Sequence, residues 1–338
     1  MKLNTQPKLE LLQVVRAIAA LAVVFYHTGY QPDYGAYGVW VFFVLSGVIM
    51  GMLMESEKSA SQFILRRMVR IVPLYWIITT LTAFITWFAP NIRVSGNAGG
   101  VKEYLFSLFF IPFRDLNGNI LPMFSLGWTL NYEIAFYLIC AASLFLTQKW
   151  PARITALLVV FWWCFAHLSP TDIGFFYASP IVFLFILGLV LWSLSQRINF
   201  RAGSYFCMGL IPLASIVLAY LEWLGNRQRG STFTVVGKIS LTVFIVWLGV
   251  VCEPAFQRLK DAIRRPLIAA GDASYAIYLT HIFVIRLFNL TLPNLGLSRE
   301  GLPLAFICLI FSTLVGIVVH RYIDTPIQKK LKQLIPNR

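Results

Sequence analysis

The stretch RAIAALAVVFYH, residues 16–27, opens on a guanidinium, closes on an imidazole and carries no charge between them. Extended to 10–29, the run reaches the roughly 20 mostly apolar residues that a helix needs to cross a bilayer core. The rest of the chain repeats that pattern. Nine further runs follow, at 37–55, 71–89, 123–146, 154–169, 175–195, 203–222, 232–251, 267–288 and 302–322, separated by polar or Gly/Pro-bearing connections. The expected fold is therefore all-α: a polytopic membrane helix bundle of about ten transmembrane helices, forming a single domain over residues 1–338. The longest connection contains VKEYLFSLFFIP at 101–112, which reads as a short interfacial or re-entrant helix.

Composition agrees with this reading. Hydrophobic residues make up 58% of the 338 and charged residues 12%, with a mean hydropathy of +0.73, which excludes an ordinary soluble domain. The net charge of +14 is dispersed between apolar runs, with no basic stripe interleaved with aromatics, so no nucleic-acid partner is expected. Cys140, Cys164, Cys207, Cys252 and Cys308 fall singly within apolar segments, without the close pairs of metal or redox sites, and no metal is expected. Lys2 and Lys8 precede an apolar run as in a signal peptide. Arg16 and His27 interrupt that run, however, and further runs follow, so a retained first span is expected.

Orientation follows from the cations. When the termini and every second connection are assigned to one side, that side holds 19 of the 28 Lys and Arg residues. The other holds six, and Arg16, Lys238 and Arg286 fall within runs. Both termini are then cytoplasmic.

Arg16 and His27 are eleven positions apart, which at about 100° per residue places them on one helix face, about 16 Å apart along the axis. Arg16 lies in the cytoplasmic half and His27 near the outer end. Snorkelling of Arg16 to the headgroups and an interfacial His27 would explain the pair without any chemistry. Glu133, in SLGWTLNYEIAFYL, is the one acid well inside a run, and a carboxylate at that depth must be paired, hydrogen-bonded or protonated. It is a functional candidate, or else a structural partner for Arg16, Lys238 or Arg286. Trp128 and Tyr137 lie near whole turns from it, where they line the same cavity or simply pack. In SYAIYLTH, Ser274, Tyr275, Tyr278 and His281 fall along one stripe, and His281 reaches a height compatible with that of His27. Arg66, Arg67 and Arg70, in FILRRMVRIVPLYW, occupy an arc of about 100° on a helix entering the membrane. Guanidinium forks there suit phosphate oxygens, although the positive-inside rule explains the same cluster without a ligand.

These motifs resemble the membrane acyltransferase-3 family, in particular its shorter members that acetylate exopolysaccharide. The resemblance covers nearly the whole chain. It rests on the Arg16/His27 pair, GVWVFFVLSG at 38–47, RRMVRIVPLYW at 66–76, SLGWTLNYEIAFY at 125–137 and SYAIYLTH at 274–281. It implies transfer of an acyl group, commonly acetyl from acetyl-CoA as co-substrate, to a hydroxyl of a cell-surface or lipid-linked carbohydrate, in a bacterial cytoplasmic (inner) membrane. Arg16, His27, Arg67 and Arg70 match positions that the family uses, and Glu133 matches the acid of its Trp-[Ser/Thr]-Leu-x-x-Glu element. Trp40 stands where the family commonly has an acid, and Asp324 in YIDTP where Glu is usual. Larger members carry an extracytoplasmic esterase-like domain after the bundle, which is not expected here.

In the reading that results, acyl-CoA meets Arg66, Arg67, Arg70, Tyr75 and Trp128 from the cytoplasmic mouth, and its pantetheine arm rises toward His27. His27 is the general base, with Glu133 or another acid orienting its second nitrogen and Arg16 either holding the pantetheine arm or polarising the site. His281 is a second acid/base group or a contact to the sugar, for which Tyr137, Ser274, Tyr275 and Tyr278 are the other candidates. The alternative is a secondary transporter or flippase for lipid-linked sugars, which also uses intramembrane Arg, His and Glu.

Overall fold

Where water is excluded, backbone polar groups are satisfied within the segment itself, so apolar runs of bilayer length fold as helices. The computed structural model describes residues 9–30, 36–57, 59–92, 94, 99–115, 118–196, 232–292 and 301–335. In chain order the helices are α1 (Glu10–His27), α2 (Ala36–Ser56), α3 (Ala60–Phe88), α4 (Val101–Leu108), α5 (Trp128–Leu146), α6 (Pro151–Leu168), α7 (Asp172–Tyr177), α8 (Phe183–Ser195), α9 (Thr232–Val251), α10 (Asp261–Asp272), α11 (Ser274–Thr291), α12 (Leu302–Val319) and α13 (Thr325–Gln333). A π-helical turn, His320–Asp324, joins the last two. No strand occurs among the described residues apart from an isolated bridge between Arg114 and Ile120. The expected run at 203–222, with Cys207, lies outside the described residues, as do Lys2, Lys8, Lys58, Arg93, Arg197, Arg201, Arg227, Arg229, Arg299 and Arg338.

Among the described residues, six helices are long and apolar enough to cross a membrane, or seven if the bent pair α10 and α11 forms one span. Large apolar side chains such as Phe88, Phe145 and Leu168 face outward, as on a surface solvated by lipid. Together these features describe a multi-pass membrane protein.

Two of the expected runs are not single straight helices. The 175–195 run breaks into α7, a 3-10 turn at Pro180–Val182 and α8, because Pro180 starts a new helical turn whose Ile181 N–H is capped by Ser179 Oγ at 3.4 Å. The 267–288 run bends by 66° between α10 and α11. The composition changes at that bend: α10 carries Asp261, Arg264, Arg265 and Asp272, whereas Arg286 is the one Lys, Arg, Asp or Glu of α11.

Polar contacts fix the helix ends. The Leu11 N–H at the start of α1 donates to Glu253 Oε2 at 2.7 Å, satisfying one of the orphan donors of that terminus, and Glu10 pairs with Arg264 at 2.8 Å. Ser59 caps α3 by accepting from the Gln62 N–H. Helices α2 and α8 meet backbone to backbone at two glycines. A Cβ on Gly47 would lie 2.2 Å from the Phe185 carbonyl oxygen, and one on Gly188 would lie 2.1 Å from that of Val44. Only glycine permits this approach, the small-residue packing typical of membrane helices.

Candidate active site

Each helix around the bundle interior contributes a stripe of polar side chains at helical spacing. The stripes carry Gln13 and Arg16 on α1, Ser46 on α2, Arg67 and Arg70 on α3, Thr129, Glu133 and Tyr137 on α5, and Tyr275 and Tyr278 on α11. All of these line one cavity of about 320 Å³. Arg16 is 9% exposed, and its Nη1 donates to Gln13 Oε1 at 3.1 Å. Among the described residues no carboxylate lies within 4 Å of the guanidinium groups of Arg16, Arg67 or Arg70. Glu133 Oε1 accepts from Ser46 Oγ at 2.8 Å and from the Tyr137 hydroxyl. The Tyr275 hydroxyl donates to the Ile71 carbonyl at 2.7 Å, tying α11 to α3.

A second cavity, of about 270 Å³, lies toward the other end of α1 and contains His27. Val39 and Tyr278 line both cavities, so these side chains stand between the two. The Tyr278 hydroxyl is held in a hydrogen bond with Thr129 Oγ1 at 2.9 Å, and its ring meets Phe42 edge-on with centroids 5.8 Å apart. Tyr26, Trp40, Ser125 and Trp128 also face this second space, and none of its described lining residues is an acid, Lys or Arg.

His27 is fixed from behind. Its Nδ1 lies 3.0 Å from the Val23 carbonyl oxygen and 3.1 Å from Nε2 of His281, with the ring centroids 5.0 Å apart. His281 is fully buried, and its Nδ1 lies 2.7 Å from the Tyr278 carbonyl oxygen. A carbonyl only accepts, so in the neutral pair His281 carries its proton on Nδ1 and its Nε2 accepts from His27 Nδ1–H. His27 Nε2 is then the unprotonated nitrogen, with no protein partner among the described residues.

The sequence expectations divide against this geometry. Arg16, Arg67, Arg70, Glu133, Tyr137, Tyr275 and Tyr278 do come together, and His27 and His281 meet although 254 residues apart. Arg66 separates from the other two arginines: it is exposed and pairs with Glu57 at 2.8 Å, because its side of the α3 arc turns away from the cavity. Tyr75 lies outside both cavities. Its hydroxyl donates to the Ser107 carbonyl at 3.0 Å and its ring stacks on Phe110, fastening α4 to α3. Trp128 belongs to the cavity of His27 and not to that of the arginines. Ser274 is fully buried and lines neither cavity. Glu133 does not orient His27, since the two line different cavities and His281 holds the imidazole. Nor is Glu133 a salt-bridge partner: Lys238 sits over the Tyr37 ring at 5.4 Å, and Arg286 donates to the carbonyls of Ile92 and Asn91.

Sequence reading passed over Gln13, Ser46, Tyr26, Trp40 in any binding role, and Ser125. Ser46 had a signal, being the only hydroxyl side chain between Gly38 and Glu55. Trp40 had none beyond its position, because an indole in an apolar run reads as packing.

Comparison with known proteins gives this arrangement a family. A model of an acyltransferase domain matches residues 10–322. The exopolysaccharide production protein ExoZ of Rhizobium meliloti is 29% identical across 90% of this chain and 92% of its own length. The peptidoglycan O-acetyltransferase OatA of Listeria monocytogenes is 27% identical across 93% of this chain but only 55% of its own, so this chain spans about half of that relative. The acyltransferase MdmB of Streptomyces mycarofaciens is 24% identical across 97% of this chain and 94% of its own. No solved structure matches the chain. The matched segment includes every helix that lines the two cavities, and the chain belongs to the acyltransferase-3 family.

Proposed function

We propose that this protein moves an acyl group, acetyl in the simplest case, from acyl-CoA to a hydroxyl of a carbohydrate at a bacterial inner membrane, with His27 as general base. The observation that carries the reading is the placement of the His27 imidazole, its Nε2 free, beside a cavity that holds three unpaired guanidinium groups. The printed names of the similar proteins, an exopolysaccharide production protein and a peptidoglycan O-acetyltransferase, support a carbohydrate acceptor. About ten spans with both termini cytoplasmic remain the topology we favour, which makes the arginine cavity the cytoplasmic one.

The first cavity sets Arg16, Arg67 and Arg70 against Glu133, Asp272 and the Arg264-paired Glu10, and the three guanidinium groups, with no carboxylate within 4 Å among the described residues, suit a polyanionic donor. Arg67 and Arg70 would hold its phosphates with charge-assisted hydrogen bonds, and Arg16, deeper in, would face the amide-rich arm. Arg16 and His27 are separated by about 16 Å along α1, comparable to an extended arm of that kind. Bound acyl-CoA supplies an activated thioester carbonyl. His27 Nε2 takes the acceptor's hydroxyl proton as the new O–C bond forms, and returns it to the departing sulfur as the C–S bond breaks. His281 acts through His27: buried and aimed at its Nδ1, it holds the ring and supports the positive charge that develops there.

The test uses the full protein in vesicles supplied with labelled acetyl-CoA. His27→Ala loses transfer by about 100-fold or more, the scale of general-base catalysis. It keeps thermal stabilisation by acetyl-CoA, which at 100 times the dissociation constant is about 2.7 kcal/mol. Transfer undiminished by that substitution removes His27 from the reaction, and a parent protein that acetyl-CoA does not stabilise removes the donor.

A further inference from the structure

The two cavities differ in chemistry as well as position. The first holds Arg16, Arg67 and Arg70 with Glu133, Asp272 and the Arg264-paired Glu10, while the second offers His27, one serine hydroxyl and a set of flat rings, with no formal charge among its described lining residues. A polyanion belongs in the first. What fits the second is an uncharged molecule with a flat apolar face and hydroxyls at its edge.

From this partition we infer that the second cavity is the acceptor subsite, taking a single pyranose ring that lies against the indole of Trp40 and presents one hydroxyl to His27 Nε2. The inference rests on the acyl-transfer reading above and adds to it the class of acceptor and the residue that selects it. Trp40 and Trp128 enter the cavity from different helices, α2 and α5, and both are partly exposed to it. Neither indole N–H has a hydrogen-bond partner among the described residues, so each has a donor to spare for a ring oxygen or hydroxyl. The Trp40 ring is held edge-on by Tyr37, with centroids 6.5 Å apart, which fixes the plane it presents. Ser125 supplies a further hydroxyl on the cavity wall. A cavity of about 270 Å³ is of the size that binds one small ring and not a long oligomer. An acid at position 40 would offer charge and hydrogen bonding in place of this face, so the identity of residue 40 sets which acceptors are taken.

The experiment uses the purified protein, labelled acetyl-CoA, and two probes: methyl β-D-glucopyranoside, which has a ring face, and mannitol, an acyclic polyol with more hydroxyls and no ring. Acetyl transfer to the glycoside exceeds that to mannitol at least tenfold. Trp40→Ala raises the glycoside concentration for half-maximal transfer at least tenfold while the half-saturating acetyl-CoA concentration stays within twofold. Trp40→Phe, which keeps a flat face, stays within threefold of the parent on both. The inference is overturned if Trp40→Ala leaves the glycoside dependence within twofold, if it weakens donor and acceptor equally, if mannitol serves as well as the glycoside, or if neither probe accepts acetyl. Stabilisation of the parent by acetyl-CoA, and the His27→Ala variant, are read separately and decide the acyl-transfer reading whatever Trp40 does.

Discussion

Replacing His281 by Phe keeps a planar ring of similar size in a fully buried position and removes the nitrogen that faces His27 Nδ1 at 3.1 Å. In the resting protein that contact is a neutral hydrogen bond shared with the Val23 carbonyl 3.0 Å away, so its loss changes little before reaction. When His27 accepts a proton, the same contact becomes a hydrogen bond from a charged donor, worth about 1.5–3 kcal/mol. At about 1.36 kcal/mol per decade, His281→Phe lowers kcat by roughly 10- to 150-fold. Because His281 does not line the arginine cavity proposed to hold the donor, the KM for acetyl-CoA stays within twofold. Initial rates of acetyl transfer in vesicles give both constants, and stabilisation by acetyl-CoA confirms that the variant folds. In a His27→Ala background the same substitution costs nothing further, because the residue it supports is gone. A kcat within threefold of the parent, or a further loss on top of His27→Ala, refutes the assignment of His281 as a positioning residue.

Other outcomes follow from the same geometry. Arg67→Ala and Arg70→Ala each raise the KM for acetyl-CoA by about 10- to 150-fold, the worth of one charge-assisted hydrogen bond, and lysine at either place restores it only in part. Titration of the rate against donor checks this. Arg66→Ala leaves that KM within twofold, because the side chain is exposed and spends its charge on Glu57, a surface pair worth about 0–1 kcal/mol. Gly188→Ala forces a Cβ to within 2.1 Å of the Val44 carbonyl oxygen and lowers stability by about 1–3 kcal/mol, read as a fall in the unfolding midpoint in detergent with donor KM unchanged in the protein that remains folded.

The helical bundle was legible because lipid solvation demands long apolar runs, and those runs show in the composition of each stretch. Of the ten expected, nine coincide with helical segments among the described residues, and the two that differ in detail do so for local reasons. Pro180 interrupts a run that hydropathy alone reads as continuous, and at Ala273 the backbone turns where a charged helix gives way to an apolar one. The site was legible wherever charge sits at depth: Arg16, Glu133, His27 and His281 each stand out because the bilayer penalises them. Which of them share a cavity was not legible. Glu133 and His27 looked like partners by type, and only the packing of α11 against α1 shows that His281 holds the imidazole. Aromatic residues carry the least signal, since Tyr75, a fastener, and Trp40, a cavity wall, have the same apolar character in the sequence.

A cavity that ran unbroken across a membrane would short-circuit the ion gradient on which a cell depends. The junction at Tyr278 bears on that risk. Val39 and Tyr278, whose hydroxyl is committed to Thr129, form an apolar wall shared by the two cavities, with the edge-on Phe42 ring on the side of the first. Water and small ions gain nothing by crossing such an apolar wall, as in channels that shut by dewetting. The side chains that divide the two spaces thus also keep water from running between them.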